Sequence, residues 1–242
     1  MKKLIYLVTL SFLILSCSKE RGSKLPNTLS QQEKTDGWKL LFNGESTSGW
    51  HLYNKGEVSS AWIVIDGTLY CKPDTFTVEH GDLVSNETYR DYELKFDWNI
   101  SKAGNSGVFV NVMEAKENPT AWTSGPEYQI LDNAGVTAKY LEDSTRWAAC
   151  LYGFQKIKNT VTPKPSGSWN HSSIIQKDGK ITFWLNGVLT AEEDFNGIIW
   201  KNLVANSNFK TFSNFGSYTS GHIALQDWSK GVSFRNIMIK EL

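Results

Sequence analysis

"SSIIQKDGKITFWLNGVLTAEEDF", residues 172–195, decides the fold class. Three apolar runs are separated by Asp178-Gly179 and Asn186-Gly187. Each dipeptide supplies two adjacent residues that tolerate positive φ, which a tight hairpin turn matched to strand twist requires. The spacing predicts three successive antiparallel strands. Upstream, "AWIVIDGTLYC" (61–71) repeats the device with Asp66-Gly67. "DYELKFDWNI" (91–100) alternates Tyr92, Leu94, Phe96, Trp98 and Ile100 against Glu93, Lys95, Asp97 and Asn99, so one face is core and the other is wet. "NSGVFVNVM" (105–113) and "VSFRNIMIKEL" (232–242) add further strands. Helical periodicity is confined to residues 200–212, with Leu203, Val204 and Phe209 as its apolar side. Many short antiparallel strands with few helices predict an all-β fold of two packed sheets.

The start of the chain has a different character. "MKKLIYLVTLSFLILSC" combines Lys2-Lys3, a short apolar run and Cys17, the pattern of a secretory signal cleaved before a lipidated cysteine. The run falls short of the ~20 residues that span a bilayer. Residues 18–35 are polar and predict a tether, leaving one folded domain over 36–242. The expected location is export with a lipid anchor at the outer membrane, because Ser18 rather than an aspartate follows Cys17. Of the three cysteines, Cys71 and Cys150 remain, either as a disulfide or as buried thiols.

Lys plus Arg and Asp plus Glu both number 25, so the formal charge is zero and no basic stripe points to nucleic acid. No glycine-rich phosphate loop, His-Glu-x-x-His or Gly-x-Ser-x-Gly is present. A three-histidine metal site would need nearly all four of His51, His80, His171 and His222.

What remains is a set of polar side chains inside strands. "SGPEYQILDNAG" (124–135) puts Glu127 and Gln129 on one strand face with Leu131, and Tyr128 and Ile130 on the other with Asp132. Two readings of the polar face stand: a solvated outer surface, or a sheet face that holds a ligand. Asn105, Asn170, His171, Gln226 and Asp227 pose the same choice, since a sandwich core rejects unpaired polar groups. Asn105 and Asn186 also suit turns, as does Asp132 beside Asn133. Glu127 is the hardest to dismiss, on a strand expected to be central.

The series "GWKLLFNGESTSGW", "GNSGVFVNV", "GPEYQILDN", "SGSWNHSSI", "FWLNGV", "GHIALQDW" and "VSFRNIMIKEL" resembles the 3-keto-disaccharide hydrolase family from about Gly37 to Leu242. The resemblance implies a concanavalin/LamG-like jelly-roll β-sandwich of two antiparallel sheets, with the sugar on one of them. Where the family reads Leu-Gln-Asp-His-Gly, this chain has Leu225, Gln226, Asp227, Trp228 and Ser229. Indole offers one donor and no acceptor, so Trp228 cannot replace a histidine base or ligand, but it can stack on a sugar ring.

The implied activity is cleavage of a 3-keto-glycoside. The C3 ketone acidifies the C2 proton, a base removes it, the C1 substituent leaves and water adds back. Glu127 is the expected base or metal ligand, with His171 the second candidate for proton transfer. Asn105, Gln129, Asn170, Gln226 and Trp228 would bind sugar. Asp227 would hold a histidine, a hydroxyl or, with Glu127, a divalent metal that stabilises the enolate. The competing reading is a non-catalytic carbohydrate-binding module on the cell surface, and a third is a structural lipoprotein without ligand.

Overall fold

The computed structural model describes residues 25–72 and 76–242. The expected signal, Cys17 and the first part of the expected tether lie outside the described residues. The chain runs through β1 (Lys39–Leu40), β2 (Trp50–Leu52), β3 (Trp62–Ile65), β4 (Thr68–Cys71), β5 (Leu83–Tyr89) and β6 (Tyr92–Ile100). It continues through β7 (Asn105–Val112), β8 (Glu127–Leu131), β9 (Asn170–Lys177), β10 (Lys180–Leu185), β11 (Val188–Asp194), β12 (Gly221–Leu225) and β13 (Val232–Glu241). Short helices are α1 (Gln31–Thr35), α2 (Ala138–Leu141) and α3 (Ile198–Ala205).

Two antiparallel sheets result. One has the order β11-β10-β9-β6-β13-β4-β3, with β1 paired to the end of β13; the other has the order β2-β5-β12-β7-β8. The chain crosses between them repeatedly, as in a jelly roll, so the expected all-β two-sheet antiparallel sandwich is what forms. All three predicted hairpin turns occur, with φ of 48° and 70° at Asp66-Gly67, 51° and 77° at Asp178-Gly179, and 49° and 85° at Asn186-Gly187.

The core lies between the sheets. Tyr128 shows how it closes: its ring stands edge-on to Phe96 at 5.6 Å and to Phe183 at 5.1 Å, both on the larger sheet. Its hydroxyl sits 2.7 Å from Ser172 Oγ, which also accepts a bond from Trp98 Nε1 at 2.8 Å. Burying each such ring contributes about 2–3 kcal/mol, and the paired hydroxyls remove the penalty of an orphaned polar group.

Three details depart from the sequence reading, and a fourth decides between alternatives it left open. Residues 25–35 are not all tether. Asn27 exchanges hydrogen bonds with Asn236, each backbone N–H donating to the other's Oδ1, and donates through Nδ2 to the Gly67 carbonyl. Ser30 and Glu33 form a capping box on α1, a local arrangement that settles two N-terminal donors. Secondly, β8 is the last strand of its sheet rather than a central one. Its outer edge is covered by residues 149–152, with Ala149 N donating to the Gln129 carbonyl and Tyr152 N to that of Glu127. Thirdly, helix α3 begins ahead of the predicted stretch and stops at Asn206, before a separate 3-10 turn over Asn208–Thr211 capped by Ser207. Finally, Cys71 and Cys150 are both buried free thiols.

Candidate active site

Successive strand residues face opposite ways, so Tyr128 in the core sends Glu127 and Gln129 to the outer face of the five-stranded sheet. There they meet Asn105 of β7 and Gln226, just past β12, on the floor of a cavity of about 600 Å³. The volume suits a sugar ring. Gly107 lies across from Gln129 on β7, and a Cβ there would collide with the Glu127 carboxylate. The carboxylate therefore rests over bare backbone.

One wall comes from the connection after β8. Tyr140 Oη accepts from Asn105 Nδ2 at 3.3 Å and from Gln129 Nε2 at 3.5 Å, so the wall is tied to the floor. Arg146 and Tyr152 complete it, Arg146 being paired to Asp143 at 3.1 Å. The opposite wall is aromatic: Trp122 stands edge-on to Phe212 at 4.9 Å and to Phe209 at 6.4 Å. It rests on a second small core of Val84, Phe109, Val112 and Ala224 on this same outer sheet face. Trp228, 64% exposed, stands at the rim.

Electrostatics set Glu127 apart. Burial and then the nearby Asp82 charge push its carboxyl well above the usual carboxylate range. Among the described residues its carboxylate has no hydrogen-bond partner. Asp82 is itself pushed up to about 7 by burial, opposed by the Asp227 backbone N–H and reinforced by the Asp227 carboxylate. Gln226 Oε1 is buried without a hydrogen bond, an acceptor left open to a ligand hydroxyl.

Five expected site residues thus line one cavity: Asn105, Glu127, Gln129, Gln226 and Trp228. Three do not join them. Ser172 faces the core, so its neighbour His171 faces outward from the larger sheet, on the opposite side of the sandwich, where its Nδ1 lies 2.8 Å from Asp97 Oδ1. Asn170 is buried at the start of β9 and bonds both backbone groups of Lys164, so it fastens a loop instead of touching sugar. Asp227 turns away from the cavity: Oδ2 lies 2.8 Å from His80 Nδ1 and accepts from Gly81 N, while Oδ1 accepts from Cys71 Sγ. Asp227 does hold a histidine, but the expected Glu127–Asp227 metal pair does not fit. Among the described residues no group of three or more His, Cys, Asp and Glu side chains is arranged to hold an ion.

Sequence reasoning missed Tyr140, Arg146, Tyr152, Trp122, Phe209, Phe212 and Asp82. The segment 137–148 reads from sequence as a connection crossing the sheet end, the one signal for Tyr140 and Arg146. The rest come from places where no local pattern marks a site.

Fold and site together define a β-sandwich protein with a polar-floored, aromatic-walled pocket on the outer face of its smaller sheet. The chain belongs to the 3-keto-alpha-glucoside-1,2-lyase-like domain family, whose model matches residues 37–240. It is 30% identical over 181 residues to the 3-keto-disaccharide hydrolase of Bacteroides thetaiotaomicron, an alignment spanning 67% of this chain and 62% of that protein. A crystal structure of a candidate glycosyl hydrolase from Parabacteroides distasonis is 30% identical, with a TM-score of 0.79 over 90% of this chain and 100% of that one. A second from the same organism, 24% identical with a TM-score of 0.65 over 85% and 99% of the two chains, shares the fold.

Proposed function

We propose that this domain cleaves 3-keto-glycosides by elimination and hydration. The observation that carries the reading is the buried, unpartnered Glu127 carboxylate on the floor of a sugar-sized cavity. Glu127, once ionised, takes the proton from C2, and the electron pair of that bond moves to make the enolate of the C3 ketone. The enolate collapses to restore C3=O, forms the C1=C2 double bond and expels the C1 oxygen substituent, which takes a proton from Glu127. Water then adds its hydroxyl to C1 and a proton to C2, giving the free 3-keto sugar and the aglycone.

Hydrogen-bond donors take the enolate charge in this scheme: the Asn105 and Gln129 amides and the Tyr140 hydroxyl edge the floor beside Glu127. Gln226 Oε1 accepts from a sugar hydroxyl, and Trp228 stacks on the ring. A raised Glu127 pKa suits the task, because a carboxylate whose pKa is raised is, once ionised, a stronger base than an ordinary one. Similarity to a protein named for 3-keto-disaccharide hydrolysis supports the substrate class. The test is Glu127→Gln on a 3-keto-glucoside: turnover falls at least about a hundredfold while sugar binding persists. Unchanged turnover removes Glu127 from the mechanism.

A second reading, a carbohydrate-binding module, is favoured by one observation, the exposed Trp228 face at the rim. It prevails if the protein binds saccharides yet turns over no keto-glycoside under any condition. Export and a lipid anchor on Cys17 at the outer membrane belong to the same proposal, since an enzyme meeting glycosides outside the cytoplasm gains from tethering. Equal membrane partitioning of wild type and Cys17→Ser would remove the anchor.

A further inference from the structure

The cavity opens sideways into a second one. Gly153, Asn206 and Ser207 line it and also line an adjoining depression of about 440 Å³, whose far side is Phe154, Ile199 and Leu203. Ile199 and Leu203 are one helical turn apart on α3 and so share a face. Ile199 is 69% exposed and Leu203 36%. This helix is not loose: Trp200 is buried against Phe195 at 4.8 Å and Phe154 at 4.7 Å, and its Nε1 donates to the Gly216 carbonyl at 2.7 Å. A pinned helix thus holds branched apolar side chains in water, where covering them is favourable in proportion to area. Gly153 sits at the boundary of the two spaces, packed against the Phe209 ring. It takes φ of +76°, and a Cβ there would press on Phe209 at 3.1 Å.

We propose that the depression is an aglycone subsite and that the substrates are 3-keto-glycosides carrying an apolar, alkyl or aryl, aglycone. This rests on the function proposed above. The sugar ring lies over Glu127 and Gln129, and the aglycone passes the edge that the two spaces share at Asn206 and Ser207 onto Ile199 and Leu203. The polar Asn206 and Ser207 at the junction face the glycosidic oxygen. Continuity with the sugar cavity selects this occupant over a second copy of the chain: the apolar face begins where the polar floor ends.

The test uses Ile199→Ser/Leu203→Ser, whose exposed positions leave the fold intact by circular dichroism. Binding of octyl glucoside, kept below micelle formation, is compared with methyl glucoside by calorimetry, and KM is compared for 4-nitrophenyl and methyl 3-keto-glucosides. In the wild type the apolar aglycone tightens binding and lowers KM about tenfold, equivalent to about 1.4 kcal/mol. The double variant loses that margin, with methyl glucoside affinity and kcat unchanged. An equal margin in both proteins overturns the inference. So does a wild-type dimer that the variant dissociates, since a second copy then covers the face. A wild type that turns over neither keto-glycoside but keeps the octyl margin removes the proposed chemistry and supports the subsite.

Discussion

Replacing Asp82 by Asn separates the cost of the buried carboxyl pair from everything else in the fold. Asp82 carries a pKa pushed up from 3.8 to about 7, chiefly by burial. An acid with a raised folded-state pKa binds its proton more tightly folded than unfolded. Below pH 3.8 both states keep the proton and nothing is lost; as pH climbs towards 7 the unfolded chain releases it first, and stability falls; above 7 the whole penalty stands. At about 1.4 kcal/mol per pH unit the penalty is on the order of 4 kcal/mol. Asn cannot ionise, so it escapes this term. It does lose an acceptor for one backbone N–H, a pH-independent cost of about 1 kcal/mol. Urea unfolding of both proteins from pH 3.5 to 8.5 therefore shows a stability difference that grows in the variant's favour by several kcal/mol across the range. Because the Asp82 charge also raises Glu127, the rising limb of the activity profile moves to lower pH in the variant. A difference flat across pH within about 1 kcal/mol refutes the reasoning.

Gly107→Ala drives a methyl group into the Glu127 carboxylate. It lowers turnover of a 3-keto-glucoside by about tenfold or more, with the larger loss in kcat, and equal kcat in the two proteins would show that the carboxylate position is immaterial. His171→Ala leaves kcat/KM within about twofold, since His171 is on the far side of the sandwich; a loss of tenfold would contradict its placement. Asn27→Ala removes its side-chain bonds to Asn236 and Gly67 and lowers unfolding free energy by about 1–2 kcal/mol, whereas a value near zero would mean this segment does not support the fold.

Strand positions were legible because their causes are local. Asp-Gly and Asn-Gly turns set the hairpins, and the period-two alternation of residues 92–100 placed Trp98 and Phe96 inside wherever the sheet was docked. The same alternation put Glu127 and Gln129 on one face from sequence alone. It could not say which neighbour that face would meet. The place of β8 at the sheet edge, covered by residues 149–152, follows from long-range pairing that no window of sequence encodes. His171 shows the limit most plainly: a polar residue beside strand apolars looks the same on either sheet, and only the direction of Ser172 toward Tyr128 puts it on the side of the sandwich away from the cavity. Asp82 carries no local mark in the chain, and Asp227 reads there as a partner of Glu127; packing instead buried Asp227 against Asp82 and made the Asp82 charge felt at Glu127, because electrostatic coupling depends on distance through the folded protein and not along the sequence.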